Sequence, residues 1–270
     1  EPLRGYSDPP GTQKPEKADF RVAMAEILSK RTFWIMTVGA TLAAFAGYAL
    51  VNFQPQHVVF THGYTPGQTA IMFMAPVGAA GTLGAFLGGY LTQKASIRSE
   101  TAPCWVPALA FFGCFPIYAF AFVAASPIVM LIAMMLASVL QYFFLGAQYN
   151  IAQAVVSLRT RATAIAILLF VVNLIGYGVG PPAFGLIADG LTANWIANSN
   201  VAGLIDASCS LTDPALPAEL IEACREARGF GIRYACIGAT LLFGLAGVFF
   251  LLSGRNYSRD VTLKSAPASA

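Results

Sequence analysis

The stretch Asn173–Leu191, NLIGYGVGPPAFGLIADGL, carries Gly176, Gly178, Gly180, Pro181, Pro182 and Gly185 inside an apolar run. In water, an interior glycine costs a helix about 1 kcal/mol and an interior proline about 3 kcal/mol. A soluble helix would not concentrate such residues in its most apolar region. A membrane helix has reason to. In lipid no hydrophobic force drives helices together, and small residues four apart let backbones approach closely. Neighbouring helices and waters satisfy the carbonyls that proline frees. Gly176 and Gly180 share one face, and Gly185 continues it. The stretch therefore predicts a membrane helix with a packing seam, in a bundle that moves.

The rest of the chain fits that reading. Of 270 residues, 57% are hydrophobic and only 11% are charged, with a mean hydropathy of +0.65. Soluble domains carry about 25% charged residues, so this chain cannot cover a globular surface. Between Phe33 and Gln93 there is no Asp, Glu, Lys or Arg, a gap far longer than the roughly 20 residues that cross a bilayer once. Six apolar segments follow, over 33–53, 69–92, 104–124, 128–148, 162–188 and 232–252. None shows the alternation of a membrane β-strand. The fold class is all-α, a polytopic helix bundle in a domain spanning 32–254. Gly39, Ala43 and Gly47 in the first span, and Gly81, Ala85 and Gly89 in the second, repeat the four-residue spacing.

Charge sets the orientation. All but three of the 16 Lys and Arg fall before the first span, after the last, or in the second-to-third and fourth-to-fifth connections. The three exceptions are Arg225, Arg228 and Arg233. By the positive-inside rule both termini are cytoplasmic, as an even number of spans requires. Residues 1–18 read as a proline-rich linker and 255–270 as a tail. The absence of an initiator Met fits a chain that begins partway through a longer one. Residues 19–31 read as an amphipathic interfacial helix with Phe20, Met24, Ile27 and Leu28 on one face and Asp19 as its cap. A simple extension of the first span is the alternative. The outer loop 194–231 holds five acidic residues and Cys209 and Cys224, between which a disulfide is permitted in an oxidising compartment. Within it PAELIEACREA reads as a short separate helix. Cys104, Cys114 and Cys236 read as packing residues.

GYGVGPPAFG resembles the G-x-x-x-G-P-x-x-G-G signature of major facilitator superfamily transporters, with Gly176, Gly180, Pro181 and Gly185 in place and Phe184 replacing one glycine. GGYLTQK resembles that superfamily's G-x-L-A-D-R loop motif through Gly89, Leu91 and Lys94, with Gln93 where the Asp would stand. Gln153, Arg161-Ala162, Asn173–Gly176 and Gly180-Pro181 resemble a helix junction of the Spinster-like branch. The resemblance implies the second half of a twelve-helix fold, built from inverted three-helix repeats. Its partner would be an N-terminal six-helix half, in the same chain or a separate one.

No titratable group lies at membrane depth, since Asp189 and Glu100 fall at span ends. Any coupling acid is then expected in the other half. Neutral polar residues remain as substrate-cavity candidates: Tyr48, Asn52, Gln141, Tyr142, Gln148, Asn150 and Asn173. The competing reading makes them interhelical glue, each worth about 0.6 kcal/mol. His57 and His62, five apart, read as solvated loop residues with no metal signature.

The leading function is half of a secondary transporter moving a small, amphiphilic or lipid-like molecule by alternating access. The alternatives are a non-transporting membrane subunit and a membrane-embedded enzyme. Enzyme chemistry is disfavoured because no G-x-S-x-G occurs and both histidines share one loop. No cofactor, metal or nucleic acid is expected; the partners are the bilayer and a small-molecule substrate. The expected location is a bacterial inner or plasma membrane.

Overall fold

The computed structural model describes residues 20–206, 208–209 and 217–261. The linker at 1–18, Asp19 and the tail beyond 261 lie outside the described residues. The elements are α1 (Phe20–Ser29), α2 (Arg31–His62), α3 (Pro66–Thr69), a π-helical turn (Ala70–Met74), α4 (Ala75–Ser96), α5 (Ala102–Val123), α6 (Pro127–Gln141), α7 (Phe144–Ala154), α8 (Arg161–Ala197) and α9 (Ala218–Asp260). The stretches Pro66–Ser96 and Pro127–Ala154 each count as one span, so among the described residues six helices are long and apolar enough to cross a membrane. Pro66, Pro103 and Pro127 each stand in the first two positions of a helix, where a missing N–H removes no intrahelical bond; Pro76 instead lies inside the second span, just after the π-turn.

Several ends differ from the sequence reading. At about 1.5 Å per residue, α2 and α9 are longer than the roughly 30 Å hydrocarbon layer, so apolarity alone underestimates them. Helix α2 runs through Pro55 to His62 and closes on Gly63, whose φ of 71° is left-handed. His57 and His62 are therefore helical rather than loop residues, and His57 is buried. The expected outer loop of 194–231 shrinks to 198–217, because α8 continues to Ala197 and α9 begins at Ala218. PAELIEACREA is the first part of α9, preceded by Pro217, and not a separate helix. Helix α9 also absorbs 255–260 of the expected tail. Helix α1 is distinct from α2, but only Ala23 and Ile27 are buried on it, while Phe20 and Leu28 are exposed.

The packing has internal symmetry. Helix α2 packs chiefly on α9 and α8, as α6–α7 packs on α5 and α4; α4 meets α5 as α8 meets α9, and α5 meets α9 across the middle. Exchanging the first three spans with the last three maps these contacts onto one another. Successive spans cross in opposite senses, so two three-helix repeats are necessarily inverted. The core joining them is aromatic: Phe111 lies 5.4 Å from Phe144, 5.9 Å from Phe243 and 5.7 Å from Phe250.

Glycines set the closest crossings. A Cβ on Gly176 would lie 2.8 Å from Ala44 Cβ, and one on Gly180 would lie 3.0 Å from the Phe45 carbonyl. That is the α8–α2 seam expected from the opening stretch, with Gly185 against the Phe53 ring at 3.6 Å. On α4 the seam is Gly81, Gly84 and Gly88, not Gly81, Ala85 and Gly89. Gly84 meets the Val139 backbone and Gly88 the Phe143 backbone, whereas a Cβ on Gly89 would meet nothing within 4 Å. Gly39 and Gly47 serve two neighbours rather than one seam, facing Phe249–Phe250 and Gln141 respectively.

Candidate functional site

Two interruptions of the backbone converge on one cavity. Pro76 has no N–H for the carbonyl four residues before it, and the wide π-turn Ala70–Met74 immediately precedes it. The fourth span, expected to be continuous over 128–148, breaks at Tyr142–Phe143 between α6 and α7. This break falls where the glycine seam of α4 brings backbones together. π-Turns concentrate at functional sites, and broken membrane helices are tolerated where they line a cavity. Met74 and Tyr142 both line a cavity of about 260 Å³ shared by α2, α4, α5 and α6.

Its polar wall is interlocked. The Tyr118 hydroxyl donates to Gln141 Oε1 at 2.8 Å, and the Ser138 hydroxyl donates to the Val77 carbonyl at 3.0 Å. Gln54, also buried, lines the same cavity beside this pair. Gly47 leaves room for the Gln141 amide, and Gly81 for the Tyr142 ring. Of the candidates, Gln141 and Tyr142 are thus brought together with Gln54, Tyr118 and Ser138, which sequence reasoning did not single out. Tyr118 was hidden in the aromatic-rich third span, and Gln54 looked like the start of a loop beside Pro55.

Tyr48, Asn52 and Asn173 form a second group. The Tyr48 hydroxyl donates to Asn173 Oδ1 at 3.0 Å, and Tyr177 meets the Tyr48 ring edge-on at 5.2 Å. The amides of Asn52 and Asn173 also donate to carbonyls of their own helices, of Tyr48 and Leu169. Asn52, Asn173 and Tyr177 are exposed on adjoining faces of α2 and α8. The remaining candidates sit lower on α7. Asn150 lines a polar pocket of about 390 Å³ with Tyr149, Gln153 and Arg161. Gln148 is buried instead, with its Oε1 unpartnered. Lys94 and Leu91 are exposed at the end of α4. Cys209 and Cys224 are joined by a disulfide with a Cα–Cα distance of 6.0 Å.

Comparison with known proteins agrees with this architecture. The family model of the Major Facilitator Superfamily matches residues 3–181. A bacterial homologue of the human lysosomal transporter Spinster, solved inward-facing and unoccupied, superposes with a TM-score of 0.85 at 32% identity, over 98% of this chain and 55% of that one. The occupied inward-facing structure gives 0.79 at 29% identity, over 95% and 55%. Among curated proteins, an MFS-type efflux pump of Mycolicibacterium smegmatis is 28% identical over 62% of this chain and 38% of its own length. The sphingosine-1-phosphate transporter SPNS2 of Danio rerio is 24% identical over 72% and 41%. The chain thus spans about two fifths of the length of these curated relatives. With six membrane helices in inverted repeats, a matching family model and Spinster proteins among its structural neighbours, the chain belongs to the major facilitator superfamily and is Spinster-like.

Proposed function

We propose that the chain forms one six-helix half of a secondary transporter that carries a small amphiphilic molecule by alternating access, with both termini cytoplasmic. The observation that carries this reading is the exposed polar face of α2 and α8. Asn52, Asn173 and Tyr177 are exposed together on α2 and α8, each asparagine amide satisfied only in part by a carbonyl of its own helix, and hydrocarbon offers the remaining polar groups no partners. A water-filled passage against a second six-helix bundle does. The cavity at the interrupted helices, which sets the Tyr118–Gln141 pair beside Leu50, Val51 and Val77, supports a passage with polar and apolar surface together. Such a mixture suits a substrate with one polar end and one apolar body. The relatives named for sphingosine-1-phosphate transport and for efflux support that class.

The test is transport in proteoliposomes holding the protein at native length. Uptake of labelled lysolipid and of a labelled sugar is compared for the wild type, Asn173→Ala and Gln141→Leu. Lysolipid transport that falls in both variants while insertion is unchanged supports the reading. Full transport by both variants, or transport of the sugar alone, defeats it.

A further inference from the structure

At the end of the bundle that carries the disulfide, the last turns of α2 and α8 and the first turns of α9 enclose a chamber of about 570 Å³. Three arginines of α9 reach this region with different commitments. Arg228 Nη1 donates to the Cys209 carbonyl at 3.2 Å, and its guanidinium lies 5.4 Å over the Phe60 ring. It holds the connection onto α2. Arg225 lies 3.4 Å from Glu222 through Nε, close enough to pair charges but without hydrogen-bond alignment. Arg233 has neither a hydrogen bond nor an ion pair among the described residues, and its Nε is shielded from solvent. His62 Nε2, lining the same chamber, is likewise shielded and unpartnered.

A guanidinium cannot give up its proton, and His62 Nε2 donates in one of its tautomers. An N–H shielded without an acceptor is costly. Here the Nε atoms of Arg225 and Arg233 and His62 Nε2 border one space, which the exposed carboxylates Glu222 and Glu226 also line at its rim. We propose that this chamber docks the anionic group of an amphiphile, a phosphate or a carboxylate, with Arg233 as its principal cation. The planar fork of arginine matches such oxyanions in a bidentate fashion. Trp195 and Phe230 supply aromatic wall beside it, and tryptophan settles at headgroup depth in membranes. The site is separate from the Gln141 cavity, and its test reads binding, so it stands or falls independently of the transport reading.

The protein at native length is purified in an uncharged maltoside detergent and offered dioctanoyl phosphatidate, dioctanoylglycerol or inorganic phosphate. Binding is followed by native mass spectrometry and by the shift in thermal unfolding. Phosphatidate binds and stabilises, dioctanoylglycerol does not, and Arg233→Gln weakens phosphatidate about tenfold or more. Arg233→Lys, which keeps the charge but loses the fork, also weakens it. Inorganic phosphate binding with the same dependence on Arg233 identifies a free-anion site; phosphatidate binding alone identifies a headgroup site. Equal binding of dioctanoylglycerol overturns the proposal. So does unchanged phosphatidate affinity in whichever Arg233 variant elutes and unfolds like the wild type.

Discussion

Glu26, on α1, holds the turn that leads into α8. Its Oε1 accepts the Ser157 backbone N–H at 2.6 Å, and its Oε2 accepts the hydroxyls of Thr160 at 2.6 Å and Ser157 at 2.9 Å. Thr160, the N-cap residue, makes no side-chain cap of its own. Asp260, at the end of α9, caps α2 directly by accepting the Thr32 N–H at 2.9 Å. Both carboxylates sit at the positive ends of helix dipoles, and both tie distant parts of the chain to one end of the bundle.

Glu26→Gln tests the first of these ties. Partial burial raises the carboxyl pKa, but the hydrogen bonds from Thr160 and Ser157 outweigh it and hold the group below its ordinary value of 4.5. A lowered folded-state pKa adds stability that is complete above the ordinary value and is lost as pH falls through the folded one. The variant is expected to lose about 1 kcal/mol near neutrality, a cap-sized effect reduced by solvent exposure. Thermal unfolding against pH checks it: the gap between wild type and variant closes in acid. A constant gap would refute the titration argument.

The α8–α2 seam is checked by contrast. Gly180→Leu forces a side chain against the Phe45 backbone and is expected to cost about 1–3 kcal/mol and to abolish transport while leaving insertion intact. A Cβ on Gly178 meets nothing within 4 Å, so Gly178→Leu is expected to be tolerated. Equal behaviour of the two variants in transport and unfolding assays would show that close approach is not what the glycines provide.

On α4, Gly84→Ala drives a methyl into the Val139 backbone, while Gly89→Ala meets open space. The first is expected to lower the unfolding temperature and transport, and the second to change neither. A larger effect at Gly89 would return weight to the motif reading of that position.

The buried network is probed by a double-mutant cycle. Gln141→Leu strands the Tyr118 hydroxyl, at a cost of about 1–3 kcal/mol, whereas Gln141→Leu with Tyr118→Phe removes both partners and is milder than the sum of the two single changes. Additive effects on the unfolding temperature would mean that the two side chains are not coupled.

Peptide mapping without reductant is expected to recover Cys209 and Cys224 in one linked species, with Cys104, Cys114 and Cys236 alkylated only after unfolding, since all three are buried. Free Cys209 in protein from oxidised membranes would remove the cross-link.

Much of this architecture was legible in the chain itself. The uncharged reach from Phe33 to Gln93, the six apolar segments and the glycine–proline stretch at Asn173–Leu191 required a membrane bundle, because lipid tolerates only closed backbone hydrogen bonding and rewards small residues at contacts. Helix ends were less legible. Gln54, Pro55, Gln56 and His57 look like a loop by polarity, yet all four continue α2, with Gln54 lining the cavity beside Tyr118 and His57 5.3 Å from the Phe122 ring. Which glycines touch a neighbour was not legible either. Four-residue spacing selects Gly81, Ala85 and Gly89 equally well, but it is at Gly84 and Gly88 that a Cβ would strike the Val139 and Phe143 backbones. The Glu26 contacts with Ser157 and Thr160 and the Tyr118–Gln141 pair join residues far apart in the chain. Composition and periodicity therefore determined that the chain is a six-helix membrane bundle, since those depend only on local solvation. Only the tertiary structure decided which polar groups find partners, since that depends on how the helices cross.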